Sequence, residues 1–548
     1  MASQLTPRAS PSAHAAPARL AASTRAISLA TAVSRVLGFV RDLLIAKLFG
    51  TGIQAQAFVV AFRLPNLFRD LVAEGPMTTA VVPVLSRYRA TQPPQEFWRL
   101  AQALGMRISV AVGLLGMLGC VLAPWLVALI APGFTGDPEK FALTVRLTRI
   151  LFPLITLVGL WAFLSGLLNS LHHFALPALG PAALNLAMIA GCLWLVPHVQ
   201  PGVVGLAWAV MLGGLVQLAM QVPAASARGF RWRWVWRHEG SRDVMRLLGP
   251  RLVGAAVYQI SVLFDTILAS VGVLAGEGAI AALYFANRLV QLPLALFATA
   301  SAQASLPMLS EQAAVKDLQT FRATVLSLLR LVAFESLPAA VGLIVLAPSI
   351  VRICFERGAF DRAATLMTAQ TLGCLAVGLV AYAASKVLSG AFYALHDTRT
   401  PVRLAIQAFA LNMLFAVLLI GPLRVGGLAL ATALSSSINA WRLIKELEWR
   451  LDMPLLPNLA KPVGRMGVAA GLMGLAAWGM WAVIGTHLPA ALSAVRQAGT
   501  AAQAGLPEAV GLSLVIVGSL GVYGVSCWIL QVGELRSLLK WLPAFRPS

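Results

Sequence analysis

A chain of 548 residues that is 59% hydrophobic and only 11% charged falls outside ordinary soluble globular proteins, which carry roughly 25% charged residues. Apolar stretches of roughly 20 residues, each long enough for one helical crossing, recur from residue 27 to residue 531, so an all-α polytopic membrane protein is predicted. The alternating ten-residue pattern of a membrane barrel is absent, and the net charge of +21 is distributed in a way that argues against a nucleic-acid partner.

Residues 1–25 are rich in Ala, Ser and Pro and lack the apolar core and cleavage site of a signal peptide. A disordered cytoplasmic tail and an uncleaved first helix are expected there. About fourteen crossings are then predicted, at roughly 27–50, 54–84, 100–131, 141–171, 177–197, 202–224, 249–273, 278–305, 322–349, 366–395, 402–422, 425–446, 463–485 and 509–531. With the N-terminus in the cytoplasm, the loops on that side collect most loop cations, from Arg87 and Arg89 through Arg228–Arg246 to Lys461 and Arg465. The opposite side holds only Lys140, Arg352, Arg357, Arg362, Arg424 and Arg496. That asymmetry follows the positive-inside rule and places both termini, including the tail 532–548, in the cytoplasm. Within the loop 228–246, the run FRWRWVWRHEGSRDVMR (230–246) alternates Trp with Arg. Such a run suits base stacking, but in this setting it reads as an interfacial stretch lying on anionic lipid headgroups. Cys120, Cys192, Cys354, Cys374 and Cys527 are scattered without a CxxC pair and read as packing thiols; no metal ligands and no cofactor are implied.

The chain also repeats itself. LSGLLNSLHHFALP (164–177) and LSGAFYALHDTRTP (388–401) share LSG-x4-LH-x4-P at an offset of 224. Arg63 and Arg288 match at 225, Pro83 and Pro307 at 224, and VGLAWA (204–209) matches GGLALA (426–431) at nearly the same spacing. An offset that spans six crossings brings both copies into the membrane from the same side, as parallel repeats. The expected organisation is a lobe of helices 1–6 at 26–227, a lobe of helices 7–12 at 247–446, and a linker with two unduplicated helices at 447–531.

Charges interrupt several of these spans. In the first, Arg35 and Asp42 lie seven residues apart on one helical face, with Ser34 and Arg41 on the adjacent stripe. A charge at bilayer depth costs at least about 2.5–3.5 kcal/mol on insertion scales, so such residues face a protein interior or a watery cavity. Arg63, Arg69, Asp70 and Glu74 follow in the second span, Asp265 in the seventh, Arg288 in the eighth and Lys386 in the tenth. Arginine clamps phosphate oxygens bidentately and stays charged in a low dielectric, so a cavity lined by Arg35, Arg41, Arg69 and Arg288 would suit a phosphate-bearing anion. Two blander readings stand beside it: Arg35 and Arg69 snorkelling to the membrane surface, and Arg41–Asp42 serving as a structural ion pair.

At these residues the chain resembles a known family. SRVLGFVRD (34–42), RLPNLFRDLVAEG (63–75), APGF (131–134), GLLNS…F..PA..P..LN (166–185), LAWAV (206–210), YFANRL (284–289), FERGAF (355–360) and DTRTPV (397–402), in this order, resemble the MurJ/MviN lipid II flippases of the multidrug/oligosaccharidyl-lipid/polysaccharide exporter superfamily. The resemblance implies fourteen helices and transport of lipid II, the undecaprenyl-diphosphate-linked peptidoglycan precursor, across the bacterial cytoplasmic (inner) membrane. It also implies that Arg35, Arg41, Arg69 and Arg288 are cavity arginines with Asp42 and Glu74 beside them, and that the last two helices form a groove for the polyprenyl tail. Gln56 and Asn287 stand where the family commonly has Asp, which weakens acidic coupling roles there.

Two other classes compete. A polysaccharide-repeat flippase or drug exporter of the same superfamily shares the architecture, although a drug exporter would place acids around its cationic substrate. An integral-membrane enzyme acting on polyprenyl diphosphates would need carboxylate clusters or an acid/base pair. No DDxxD-like run, HExxH or G-x-S-x-G occurs, so no enzyme is expected, and His172–His173 and His396–Asp397 read as duplicated loop residues.

Overall fold

The computed structural model describes residues 12–70, 76–497 and 506–535. These residues are helical almost throughout, with no strand among them. The helices are α1 (Ser12–Phe49), α2 (Ile53–Phe68), α3 (Pro76–Thr91), α4 (Pro94–Val121), α5 (Ala123–Ile130), α6 (Pro138–Leu151), α7 (Leu154–Ser170), α8 (Ala175–Trp194), α9 (Gly202–Ala219), α10 (Gln221–Ser226) and α11 (Gly240–Ser270). There follow α12 (Gly272–Ala275), α13 (Ala279–Pro293), α14 (Ala300–Ala314), α15 (Leu318–Val345), α16 (Ala347–Phe355), α17 (Arg362–Val377), α18 (Leu379–Ala394), α19 (Arg399–Leu423), α20 (Val425–Leu451), α21 (Leu456–Gln497) and α22 (Leu506–Ile529). Helix α1 begins at Ser12, inside the stretch expected to be a disordered tail. The run of alanines there explains the difference, because alanine has the highest helix propensity.

Among the described residues, nine helical segments are long and apolar enough to cross a membrane, or ten when the α17–α18 pair, bent by 43° at Gly378, counts as one. The expectation was fourteen. The segments that fall short carry polar groups: α1 holds Arg35, Arg41 and Asp42, α2 holds Arg63, and α20 holds a serine run with Asn439 and Arg442, while α11 contributes only the shorter apolar stretch Gln259–Ser270.

The chain divides into two compact units, one of residues 1–45, 57–129 and 137–256, the other of 46–56, 130–136 and 257–548. In the first unit, Phe163 packs edge-on against Phe230, and Trp232 packs on both. The Trp-Arg run is therefore extended and pinned to α7 at its start, and Arg107 of α4 donates to the Trp236 carbonyl at 2.7 Å. Trp234 remains exposed.

The second unit takes in two short pieces that the repeat reading assigned to the first lobe. The amide of Ala359 donates to the Lys47 carbonyl at 2.9 Å, and the amide of Gly133 donates to Ser270 Oγ at 3.1 Å. Gly358 has φ +63°, and a Cβ there would stand 2.3 Å from the Lys47 oxygen, so the FERGAF turn requires glycine. The core of this unit is built from Phe321, Val325, Leu388, Phe392 and Leu443 on α15, α18 and α20. The unduplicated helices α21 and α22 dock on α15 through Phe334, Met466, Met473 and Tyr523, whose hydroxyl donates to the Phe334 carbonyl at 2.9 Å.

The duplication is visible in matched turns. His172 and His396 have φ of 60° and 58°, and each ends its helix with the same pair of backbone bonds: His172 N–H to Asn169 O and His173 N–H to Leu168 O, against His396 N–H to Tyr393 O and Asp397 N–H to Phe392 O. A π-helical turn at Arg69–Asp70 likewise matches one at Leu294–Thr299.

Candidate functional site

Arg41 and Asp42 are buried charges of the first unit, only 7% and 2% exposed. Neighbouring residues on a helix do not normally face each other, but the long arginine side chain folds back, and its Nε and Nη2 both donate to Asp42 Oδ1, at 3.0 and 2.8 Å. Its Nη1 donates to Asn185 Oδ1 of α8 at 2.7 Å, and Asn185 Nδ2 in turn donates to the Ser34 carbonyl at 2.9 Å. Gly38 lies against Asn185, so the absence of a side chain there admits the amide between α1 and α8. Ser34, Arg41 and Asp42 thus converge, with Asn185 as the fourth member. The guanidinium is fixed in direction by two helices.

The other first-unit candidates are less buried. Arg35 is exposed and makes no hydrogen bond or ion pair with a described residue. Arg63, two residues before the buried Pro65, is half-buried. Arg69 pairs with Asp70 at 3.3 Å on the π turn that follows α2. Glu74 lies outside the described residues.

In the second unit, Arg288 stands over the Tyr284 ring at 4.9 Å, with Nη2 3.3 Å from the Tyr284 hydroxyl and Nη1 3.5 Å from Gln291 Oε1. This cation–π seat holds the guanidinium against the helix while its outer edge stays half-exposed. Asp265 accepts from Asn412 Nδ2 at 3.2 Å, and the exposed Lys386 donates to Thr299 Oγ1 at 2.7 Å at the end of the second π turn. Asp265 lies 224 positions after Arg41, the offset of the duplication. At equivalent places the two units therefore carry opposite charges, each held by an asparagine of the α8 or α19 helix.

Asn185, Asn412, Tyr284 and Thr299 were not among the sequence candidates. Asn185 had a signal, an amide inside the otherwise apolar run ALPALGPAALNLAMIAG (175–191). Tyr284 sits one turn before Arg288 in YFANRL. Asn412 had no signal beyond being polar in an apolar span. At the histidine turns, His173 Nδ1 lies 3.0 Å from Arg228 Nη2, and Asp397 caps α19 and pairs with Arg450. Among the described residues no group of three His, Cys, Asp or Glu could hold a metal ion.

Charges held this deep in apolar helices, on broken spans of two duplicated units, mark the chain as a polytopic membrane transporter. A sequence profile described as "Lipid II flippase MurJ" matches residues 45–492, and the chain belongs to that family. A Burkholderia cenocepacia protein named "Lipid II flippase MurJ" is 33% identical over 455 residues, covering 82% of this chain and 88% of its own. A Haemophilus influenzae protein named "Probable lipid II flippase MurJ" is 36% identical over 436 residues, 76% of this chain and 84% of its own. Among solved structures, one described as a lipid II flippase MurJ in an inward closed conformation superposes with TM-score 0.73 at 23% identity, over 91% of this chain and 98% of that one. A multidrug resistance transporter of the MATE family in an inward-facing conformation superposes with TM-score 0.64 at 16% identity, over 76% and 94%. These two likenesses are of fold.

Proposed function

We propose that the chain carries lipid II from the inner to the outer leaflet of the bacterial cytoplasmic membrane by alternating access of its two repeat lobes, 26–227 and 247–446, supplying the enzymes that polymerise peptidoglycan. The observation that supports it best is Arg41, a guanidinium buried in a membrane helix and aimed by Asp42 and Asn185. A scaffold has no use for such a group, and its burial is tolerable only with partners in place. Arg35, Arg69 and Arg288 complete an anion-selective headgroup site in this reading, with Ser34, Arg63, Glu74, Asp265 and Lys386 as supporting polar groups.

The carrier has fourteen crossings, with α1, the α2–α3 pair, α11 and α20 as the four polar ones, and both termini in the cytoplasm. The diphosphate enters the arginine-lined site while the polyprenyl tail stays in lipid along α21 and α22. Charge neutralisation then lets the lobes rock outward. A cytoplasm-negative potential favours outward movement of an anion by about 2.3 kcal/mol per charge per 100 mV, and about twice that for a headgroup with two negative charges when the arginines stay behind. No covalent step is involved. The loop 228–246 rests on the anionic inner leaflet, where exposed Trp234 and its flanking arginines find headgroups.

The test is replacement of the essential lipid II flippase in depleted bacteria with this chain, followed by assay of lipid II in each leaflet. Rescue with outer-leaflet delivery is expected; a polysaccharide-lipid or drug exporter would express and insert without rescuing. Arg41→Ala and Arg288→Ala should each abolish delivery while the protein remains inserted, and full transport by both variants removes the mechanism.

A further inference from the structure

Arg146 and Arg149 belong neither to the orientation pattern nor to the headgroup site. They lie one turn apart on α6, both exposed, and neither guanidinium makes a hydrogen bond or ion pair with a described residue. They border a cavity of about 570 Å³ in the first unit, between α5, α6 and α9, whose other walls are apolar: Pro124, Phe141, Ile150 and Trp208 among them.

Their level can be read from the helix. From Arg149 to Ser170, at the His172 turn, the path is about 32 Å at 1.5 Å per residue. That is close to the roughly 30 Å thickness of a bilayer core, so the pair sits at the headgroup level of the leaflet opposite that turn. Exposed Trp125 near the start of α5, Trp194 at the end of α8 and Trp208 in the second turn of α9 are placed by the chain order near this level, as in an interfacial aromatic belt.

We propose that this cavity binds an anionic glycerophospholipid of the outer leaflet, its phosphate gripped by Arg146 and Arg149 and its upper acyl chain lying over Ile150 and Trp208. The assignment to the outer leaflet rests on the orientation adopted for the flippase. Charge and size select the occupant. Two guanidiniums at i, i+3 match one phosphate group bidentately. The apolar walls suit a chain, whereas the sugars and peptide of a lipid-linked precursor would need polar partners that the walls lack.

The experiment is a titration of the purified full chain in neutral detergent with phosphatidylglycerol, phosphatidylcholine of the same acyl chains, and lipid II, read as the shift of the unfolding temperature. Phosphatidylglycerol is expected to stabilise and phosphatidylcholine is not. In Arg146→Gln/Arg149→Gln the phosphatidylglycerol response should need about tenfold more lipid. Arg146→Lys/Arg149→Lys should fall between, and Arg41→Gln should respond as wild type does. An unchanged response in the double Gln variant, equal stabilisation by phosphatidylcholine, or lipid II displacing phosphatidylglycerol through these two arginines overturns the proposal. A chain with the arginine-dependent shift but no lipid II transport keeps this site and removes the flippase reading; transport without the shift does the reverse.

Discussion

Asn185→Ala is the most informative single change in the first unit. It deletes the acceptor of the 2.7 Å bond from Arg41 Nη1 and the donor of the 2.9 Å bond to the Ser34 carbonyl. A hydrogen bond to a charged group contributes about 1.5–3 kcal/mol and a neutral one about 0.5–1.5, so a loss of about 2–4 kcal/mol is expected. The guanidinium stays buried beside Asp42 but loses its anchor on α8, so its direction is no longer fixed. Asn185→Asp separates stability from function. It keeps an acceptor for Arg41, loses the donor to the Ser34 carbonyl and adds a negative charge beside the guanidinium, so the fold should suffer less than in Asn185→Ala while the pull of the site on a diphosphate weakens. The assays are thermal unfolding of the purified variants and lipid II delivery to the outer leaflet in depleted cells. Asn185→Ala should unfold at lower temperature and deliver poorly; Asn185→Asp should unfold between Asn185→Ala and wild type and deliver about tenfold less, the equivalent of 1.4 kcal/mol. An Asn185→Asp protein that transports as well as wild type would refute the claim that Arg41 acts as a positive charge on the substrate.

Arg288→Lys keeps the charge but loses the planar stack on Tyr284, so lipid II affinity should fall severalfold, by about 0.5–2 kcal/mol, whereas Tyr284→Phe should fall less; binding titrations with lipid II distinguish them. Gly358→Ala places a Cβ against the Lys47 carbonyl at positive φ and should destabilise by at least about 1–2 kcal/mol, seen as a lower unfolding temperature. At the turn between α18 and α19, burial alone would raise the Asp397 carboxyl, but the Thr400 side chain, the Thr400 and Arg399 amides and Arg450 outweigh it and hold it below its usual range. Its stabilising charge is therefore present above the unfolded value of about 3.9 and lost as pH falls through the lower folded value. Asp397→Asn should be less stable than wild type at pH 7, and the gap between their unfolding temperatures should close below about pH 4.

Much of this was written in the sequence because it is periodic or duplicated. The LH turns at 171–172 and 395–396 were legible as a repeat, and they fold into matching left-handed turns. The burial of Arg41 and Asp42 followed from their depth in an apolar span. Position on a helical wheel, however, fixes only relative angles. Arg35 and Arg41 lie about 120° apart at 100° per residue, and α8 covers only the Arg41 side of that sector, so one arginine is buried and the other exposed. The partners of Asn185 and Asn412 were not legible, because they lie 144 and 147 residues away and are brought close only by helix packing. The placement of 46–56 and 130–136 in the second unit rests on close approaches at Gly358 and Gly133, which no periodicity encodes.

The most direct test of the central claim is reconstitution of the purified chain in sealed vesicles, with lipid II accessibility on the receiving face measured under an imposed potential. The account predicts delivery by the wild type that grows with a potential negative on the loading side, and none by properly inserted Arg41→Ala or Arg288→Ala. Delivery by both variants at the wild-type rate, or none by the wild type at any potential, would contradict it.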